Sequence, residues 1–107
     1  MKEVIKDALD KYVSFISSLE GVIQVYLFGS YAYGSAHDES DIDLMVIIDD
    51  NLNRAKMALT ISKGLSSIIV PVDVLVNRKS DFYKASNEPT LQRRIKSEGV
   101  LLYGAAQ

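Results

Sequence analysis

The sequence contains no cysteine and no tryptophan, and only one histidine and two prolines in 107 residues. Without cysteine there is no disulfide, no thiolate zinc site and no thiol nucleophile. A single histidine, His37, excludes the histidine clusters of zinc hydrolases. Any metal is therefore expected to be hard and held by oxygen ligands, which means Mg²⁺, Mn²⁺ or Ca²⁺. Long apolar runs are missing too: the stretches from Leu44 to Ile48 and from Ile68 to Val72 are far too short to span a bilayer. The opening MKEVIKDALDKY mixes charges through the place where a signal peptide is apolar. A cytoplasmic protein with no membrane partner is expected. No repeat, low-complexity tract or Pro/Gly/Ser-rich linker divides the chain, and its length suits one domain, 1–107.

What is present is a globular composition, 48% hydrophobic and 24% charged. The net charge of −2 argues against general nucleic-acid binding, which calls for a basic face. The charge is unevenly placed. From Asp38 to Asp50 there are six acids and no base, whereas Arg78 to Glu98 carries six bases against three acids. Arg93, Arg94 and Lys96 read as a solvated helix face, with contact to phosphate or a partner as the alternative.

Ile5, Leu9, Tyr12, Ile16 and Leu19 recur at helical spacing, with Gly21 as the stop. VIQVYLF, Val22 to Phe28, reads as a buried strand ending at Gly29-Ser30. Tyr31 to Ser40 is a short helix or loop, and DIDLMVII, Asp41 to Ile48, a second strand. A helix from about Asn53 to Ser66 follows, then the strand PVDVLVN opened by Pro71. Ser80-Asp81 and Glu88-Pro89 each look like a helix start, the latter helix stopping at Gly99. VLLY at Val100 to Tyr103 is an edge strand or a docking segment. Helices alternating with strands define an α/β (α+β) domain.

The informative pattern is Gly29-Ser30, ten residues, then Asp41-Ile42-Asp43, with Asp73 on the next strand. Side chains at i and i+2 share one face of a strand, so Asp41 and Asp43 point the same way while Ile42, Leu44, Val46 and Ile48 pack inward. Asp73 interrupts its own apolar run likewise, opposite Val72, Val74 and Val76. Aspartate is depleted in strands, and carboxylates brought together repel unless a cation sits between them. Three converging carboxylates therefore predict a divalent metal site, of the kind in which two ions activate a hydroxyl and carry charge on a phosphate. Gly29 permits a tight turn and close approach of phosphate oxygens, and Ser30 adds a hydroxyl donor. The loop is not a P-loop, because Ser35 stands where the lysine belongs. At average residue frequencies the GS-x10-DxD pattern arises by chance in roughly one 100-residue chain in a thousand.

The segment LFGSYAYGSAHDESDIDLMV, with PVDVLV downstream and the ending KSEGVLLYG, resembles the minimal nucleotidyltransferases of the DNA polymerase β-like superfamily. The resemblance implies a small mixed β-sheet flanked by helices and a metal-dependent transfer of a nucleoside monophosphate from a nucleoside triphosphate. Gly29 and Ser30 would hold the triphosphate. Asp41 and Asp43 would bind two Mg²⁺, and Asp73 would bind the catalytic ion and help deprotonate the acceptor hydroxyl. Free-standing domains of this size resemble the antitoxins of HEPN/MNT toxin–antitoxin pairs, some of which transfer AMP from ATP to a tyrosine of a separate helical HEPN toxin. Family members commonly carry arginines after the GS pair, whereas this chain has Tyr31 and Tyr33. An alternative expectation is thus a catalytically weak or inactive antitoxin that neutralises its partner by binding. The resemblance leaves the acceptor's identity and a homo-oligomer open.

Overall fold

A computed structural model describes residues 2–37 and 40–105. Asp38 and Glu39 of the acidic stretch lie outside the described residues, as do the two ends of the chain. The first helix, α1 (Glu3–Ser17), buries the stripe Ala8, Leu9, Tyr12 and Ile16. Its last residue, Ser17, lies four before Gly21, and the cap is Ser18, whose hydroxyl donates to the Phe15 carbonyl at 2.6 Å. Gly21, with φ of 88°, instead turns the chain into β1 (Val22–Phe28).

A one-turn helix α2 (Ser30–Tyr33) follows, then β2 (Ile42–Ile48), α3 (Arg54–Leu65), β3 (Val72–Arg78), α4 (Lys79–Ala85), α5 (Leu91–Glu98) and β4 (Val100–Tyr103). Asn53 caps α3 by accepting from the Lys56 amide at 3.0 Å. Thr90 caps α5, accepting from the Arg93 amide at 3.2 Å and donating to the Ala85 carbonyl at 2.7 Å. This capping residue moves the start of α5 two positions beyond the Glu88-Pro89 signal. VLLY is an edge strand.

The four strands form one mixed sheet in the order β3-β2-β1-β4, with β1 antiparallel to both its neighbours and β2 parallel to β3. The order explains the composition of each strand. The inner strands β1 and β2 are buried almost throughout, whereas the edge strand β3 alternates between exposed and covered positions over Val72 to Val76 and the edge strand β4 is exposed at both ends. On one face Val25, Leu27, Ile42, Leu44, Val46 and Ile48 pack with the buried residues of α1 and with Ile61 and Leu65 of α3. On the other, Tyr26, Phe28, Met45 and Ile47 meet Phe82 of α4 and Ile95 of α5. Each such side chain, fully buried, contributes about 1.5–3 kcal/mol. Tyr12, inside the first cluster, donates its hydroxyl to the Val70 carbonyl, which fastens α1 to the loop entering β3. Among the described residues no helix is long and apolar enough to cross a membrane.

Candidate active site

The chain leaves β1 through Gly29, whose φ of 75° and ψ of −158° belong to a region open essentially to glycine alone. The amides of Ala32 and Tyr33 both donate to the Gly29 carbonyl at 3.0 Å, which closes the single turn of α2 and leaves the Ser30 and Tyr31 amides at its open end. A side chain at Gly29 would clash with Asp43 Oδ2 and would lie 3.0 Å from Asp43 Cγ. Glycine is therefore what lets the turn approach that carboxylate.

Because β1 runs antiparallel to β2, the end of β1 meets the beginning of β2. Phe28 is the cross-strand partner of Asp43. On its other side Asp43 is in register with Asp73 of β3. Neighbouring strands lie about 4.8 Å apart, so two carboxylates stand side by side on one sheet face. Pairing of β2 with β3 begins where the Ile42 amide donates to the Pro71 carbonyl at 3.2 Å. Asp41 consequently lies just ahead of the strand and is exposed, rather than inside it.

Asp43 is half-buried, and its carboxyl is pushed above its ordinary range, chiefly by burial and then by the negative charges of Asp73 and Asp41. Among the described residues no ion pair reaches any of the three aspartates. Nor do three acidic or histidine side chains close around a common point tightly enough to enclose an ion. The five residues picked out by the sequence, Gly29, Ser30, Asp41, Asp43 and Asp73, thus come to one corner of the sheet without a finished coordination shell. Their donor chemistry, carboxylate oxygen only and mutually repulsive, fits a hard divalent cation whose remaining positions are filled by water or phosphate.

On the far side of the turn, Ser30, Tyr31 and His37 border a hollow of about 460 Å³ closed by Ile5 of α1, and none of the aspartates lines it. Tyr31 packs into the α1/α3 cluster, whereas Tyr33 packs against the opposite one, to which Phe28 belongs. Over the Tyr33 ring, 4.4 Å from its centroid, lies the guanidinium of Arg94 from α5. Arg94 shares a polar, exposed helix with Arg93 and Lys96, so nothing in its own segment marks out that ring as its partner.

Residues 10–107 match the family described as Polymerase beta, Nucleotidyltransferase. The chain belongs to this nucleotidyltransferase family. Over 86 residues it is 31% identical to the protein adenylyltransferase MntA of Shewanella oneidensis, covering 78% of this chain and 55% of that one. A relative from Methanocaldococcus jannaschii is 45% identical over 47 residues, 44% of this chain and 47% of the other. The chain spans about half the length of these curated relatives. A solved protein of Sulfolobus solfataricus superposes with a TM-score of 0.62 at 22% identity, covering 97% of this chain and 89% of that one. A toxin–antitoxin complex solved with AMP-PNP gives 0.56 at 24% identity, over 94% and 73%. These two likenesses establish the shared fold.

Proposed function

We propose that this chain transfers AMP from ATP to a tyrosine hydroxyl of a separate, helical HEPN-type toxin, with Mg²⁺ as cofactor, and so acts as an antitoxin. The observation that carries the proposal is the register of Asp43 with Asp73, with Asp41 close enough to raise the Asp43 carboxyl and Gly29 pressed against it. The adenylyltransferase name of the Shewanella relative supports the choice of reaction.

Asp41 and Asp43 would hold two Mg²⁺, with Asp73 sharing the catalytic one. Bound there, the ions would acidify the acceptor hydroxyl and offset charge on the phosphates. Gly29 keeps the turn free of a side chain so that phosphate oxygens reach the backbone, and the Ser30 hydroxyl donates to one of them. Asp73 is exposed at the sheet edge, where an acceptor brought by a second protein has access. It would take the hydroxyl proton as the acceptor oxygen bonds to the α-phosphorus and the bond to pyrophosphate breaks.

A second reading, neutralisation of the partner by contact alone, is favoured by Tyr31 and Tyr33 in the turn, where the family resemblance implies arginines. Transfer of label from α-labelled ATP with Mg²⁺, using a HEPN-type protein encoded beside this chain as acceptor, separates the two. Label on the acceptor that disappears with Asp41→Asn supports the transferase. A stable complex that takes up no label supports neutralisation by binding.

A further inference from the structure

We infer that Arg94, stacked on Tyr33, is the cationic side chain that meets the triphosphate of the incoming nucleotide; the inference rests on the transferase reading above. A triphosphate is a polyanion, and the turn that would receive it, Gly29 to Ser35, contains no lysine or arginine. The fold brings one from elsewhere. Arg94 sits four residues after the α5 cap Thr90, and its guanidinium lies 4.4 Å from the centre of the Tyr33 ring. Tyr33 packs on the sheet face that carries Phe28, and Phe28 is the cross-strand neighbour of Asp43. Arg94 therefore stacks on a residue of the turn that packs on the same sheet face as the Asp43 carboxylate.

The guanidinium is also in a state to bind. Its Nε donates to Glu98 Oε2 at 2.8 Å, and among the described residues no further hydrogen bond occupies its two terminal amino groups. Stacking on an aromatic ring holds the planar fork in one orientation, which suits bidentate contact with phosphate oxygens. The side chain is 59% exposed, so a ligand can reach it. Lys96 is its natural control. That ammonium lies over the Tyr83 ring at 5.2 Å, and the Tyr83 hydroxyl donates to Gln24 near the opposite end of β1.

If the Arg94–Glu98 pair were only a surface ion pair, its removal would leave nucleotide affinity alone. The test is calorimetric binding of Mg²⁺ with α,β-methylene-ATP, and separately of AMP, to the whole chain. Arg94→Ala is expected to weaken the triphosphate about tenfold, the worth of one charge-assisted hydrogen bond, while AMP binding is unchanged. Lys96→Ala, with the same change in charge, should stay within about twofold of wild type. Glu98→Gln, which frees the guanidinium, should tighten the triphosphate. Tyr33→Leu should weaken it and Tyr33→Phe should restore it, because the ring rather than the hydroxyl carries the stack. Triphosphate affinity that is the same in folded Arg94→Ala and wild type overturns the inference and leaves the transferase reading standing. If Arg94→Ala does not fold, unchanged affinity in Glu98→Gln overturns it instead. A wild-type chain that binds neither nucleotide overturns both.

Discussion

Replacing Gly29 with alanine tests whether the backbone after β1 and the carboxylate of β2 form one unit. Two costs add. The first is conformational: φ of 75° with ψ of −158° is a region where any side chain costs about 1–3 kcal/mol. The second is steric, since the new Cβ would clash with Asp43 Oδ2 and stand 3.0 Å from Cγ and 3.3 Å from Cβ of the same residue. The carboxyl end must swing away, and with it the group that neighbours Asp73. In a domain of this size each kcal/mol lowers Tm by about 4–8 °C, so a drop of roughly 5–20 °C is expected. Gly34 supplies the comparison. Its φ of 78° is also left-handed, but a Cβ there meets nothing within 4 Å, so alanine should cost about 1 kcal/mol. Thermal unfolding followed by circular dichroism measures both variants, and titration with Mn²⁺ followed by electron paramagnetic resonance reads the site. Gly29→Ala should melt below Gly34→Ala and bind Mn²⁺ more weakly. Equal melting of the two variants, with Mn²⁺ affinity retained in both, would refute the coupling.

Asp43→Asn should raise Tm at about pH 7 in the absence of divalent metal. The folded carboxyl titrates above its ordinary value, so between that value and the raised one the folded state holds more proton than the unfolded state. Stability therefore falls as pH rises through that window, and above it the ionised group is a constant penalty that asparagine removes. The gap between variant and wild type should narrow as pH falls toward about 4, and a gap independent of pH would contradict the assignment. Gly64→Ala should destabilise although alanine favours helix by about 1 kcal/mol, because its Cβ would sit 2.8 Å from Phe15 Cε1 and closer still to Cζ. Adding Phe15→Leu should recover part of the loss, which a double-mutant cycle in denaturant would show. Tyr12→Phe leaves the Val70 carbonyl without its donor and should lower stability by about 1 kcal/mol, read from the urea midpoint at constant slope.

The candidate site was legible because aspartate is out of place inside DIDLMVII and PVDVLVN, and both segments form strands that begin one residue later than expected, at Ile42 and Val72. The glycine before Ser30 stood out for the same kind of reason, as a break directly after an apolar run. What neither segment contains is its pairing partner. That Asp43 faces Asp73 follows from the parallel register of β2 with β3, a long-range pairing across the intervening α3. Alternation also assigned only Ile42, Leu44, Val46 and Ile48 to the core. Met45 and Ile47 are equally buried, beneath α4 and α5, and the unbroken apolar run of β2 was the signal for a strand covered on both faces. Gln24 was hidden inside VIQVYLF: it is fully buried and satisfied by the Tyr83 hydroxyl at 2.8 Å and the Ala105 carbonyl at 2.6 Å, both remote in sequence. Arg94 was hidden in the opposite way. A polar helix looks solvated all round, and only its packing, with Arg94 over Tyr33 and Lys96 over Tyr83, tells its charges apart.

The alternation on β3 has a consequence for assembly of the sheet. Val72, Val74 and Val76 face α3 while Asp73 faces away from it. A slip of one residue along β2 would exchange the two faces and turn the Asp73 carboxylate toward Ala58 and Leu65, which border the space beside Val72 and Val74. An ionised group without a partner there costs several kcal/mol, a large share of what a domain this small has in reserve. The carboxylate thus excludes the misregistered sheet as well as shaping the finished one. Exchanging Asp73 for a β-branched apolar residue would give a smoother strand at the price of a second, competing way to zip the edge.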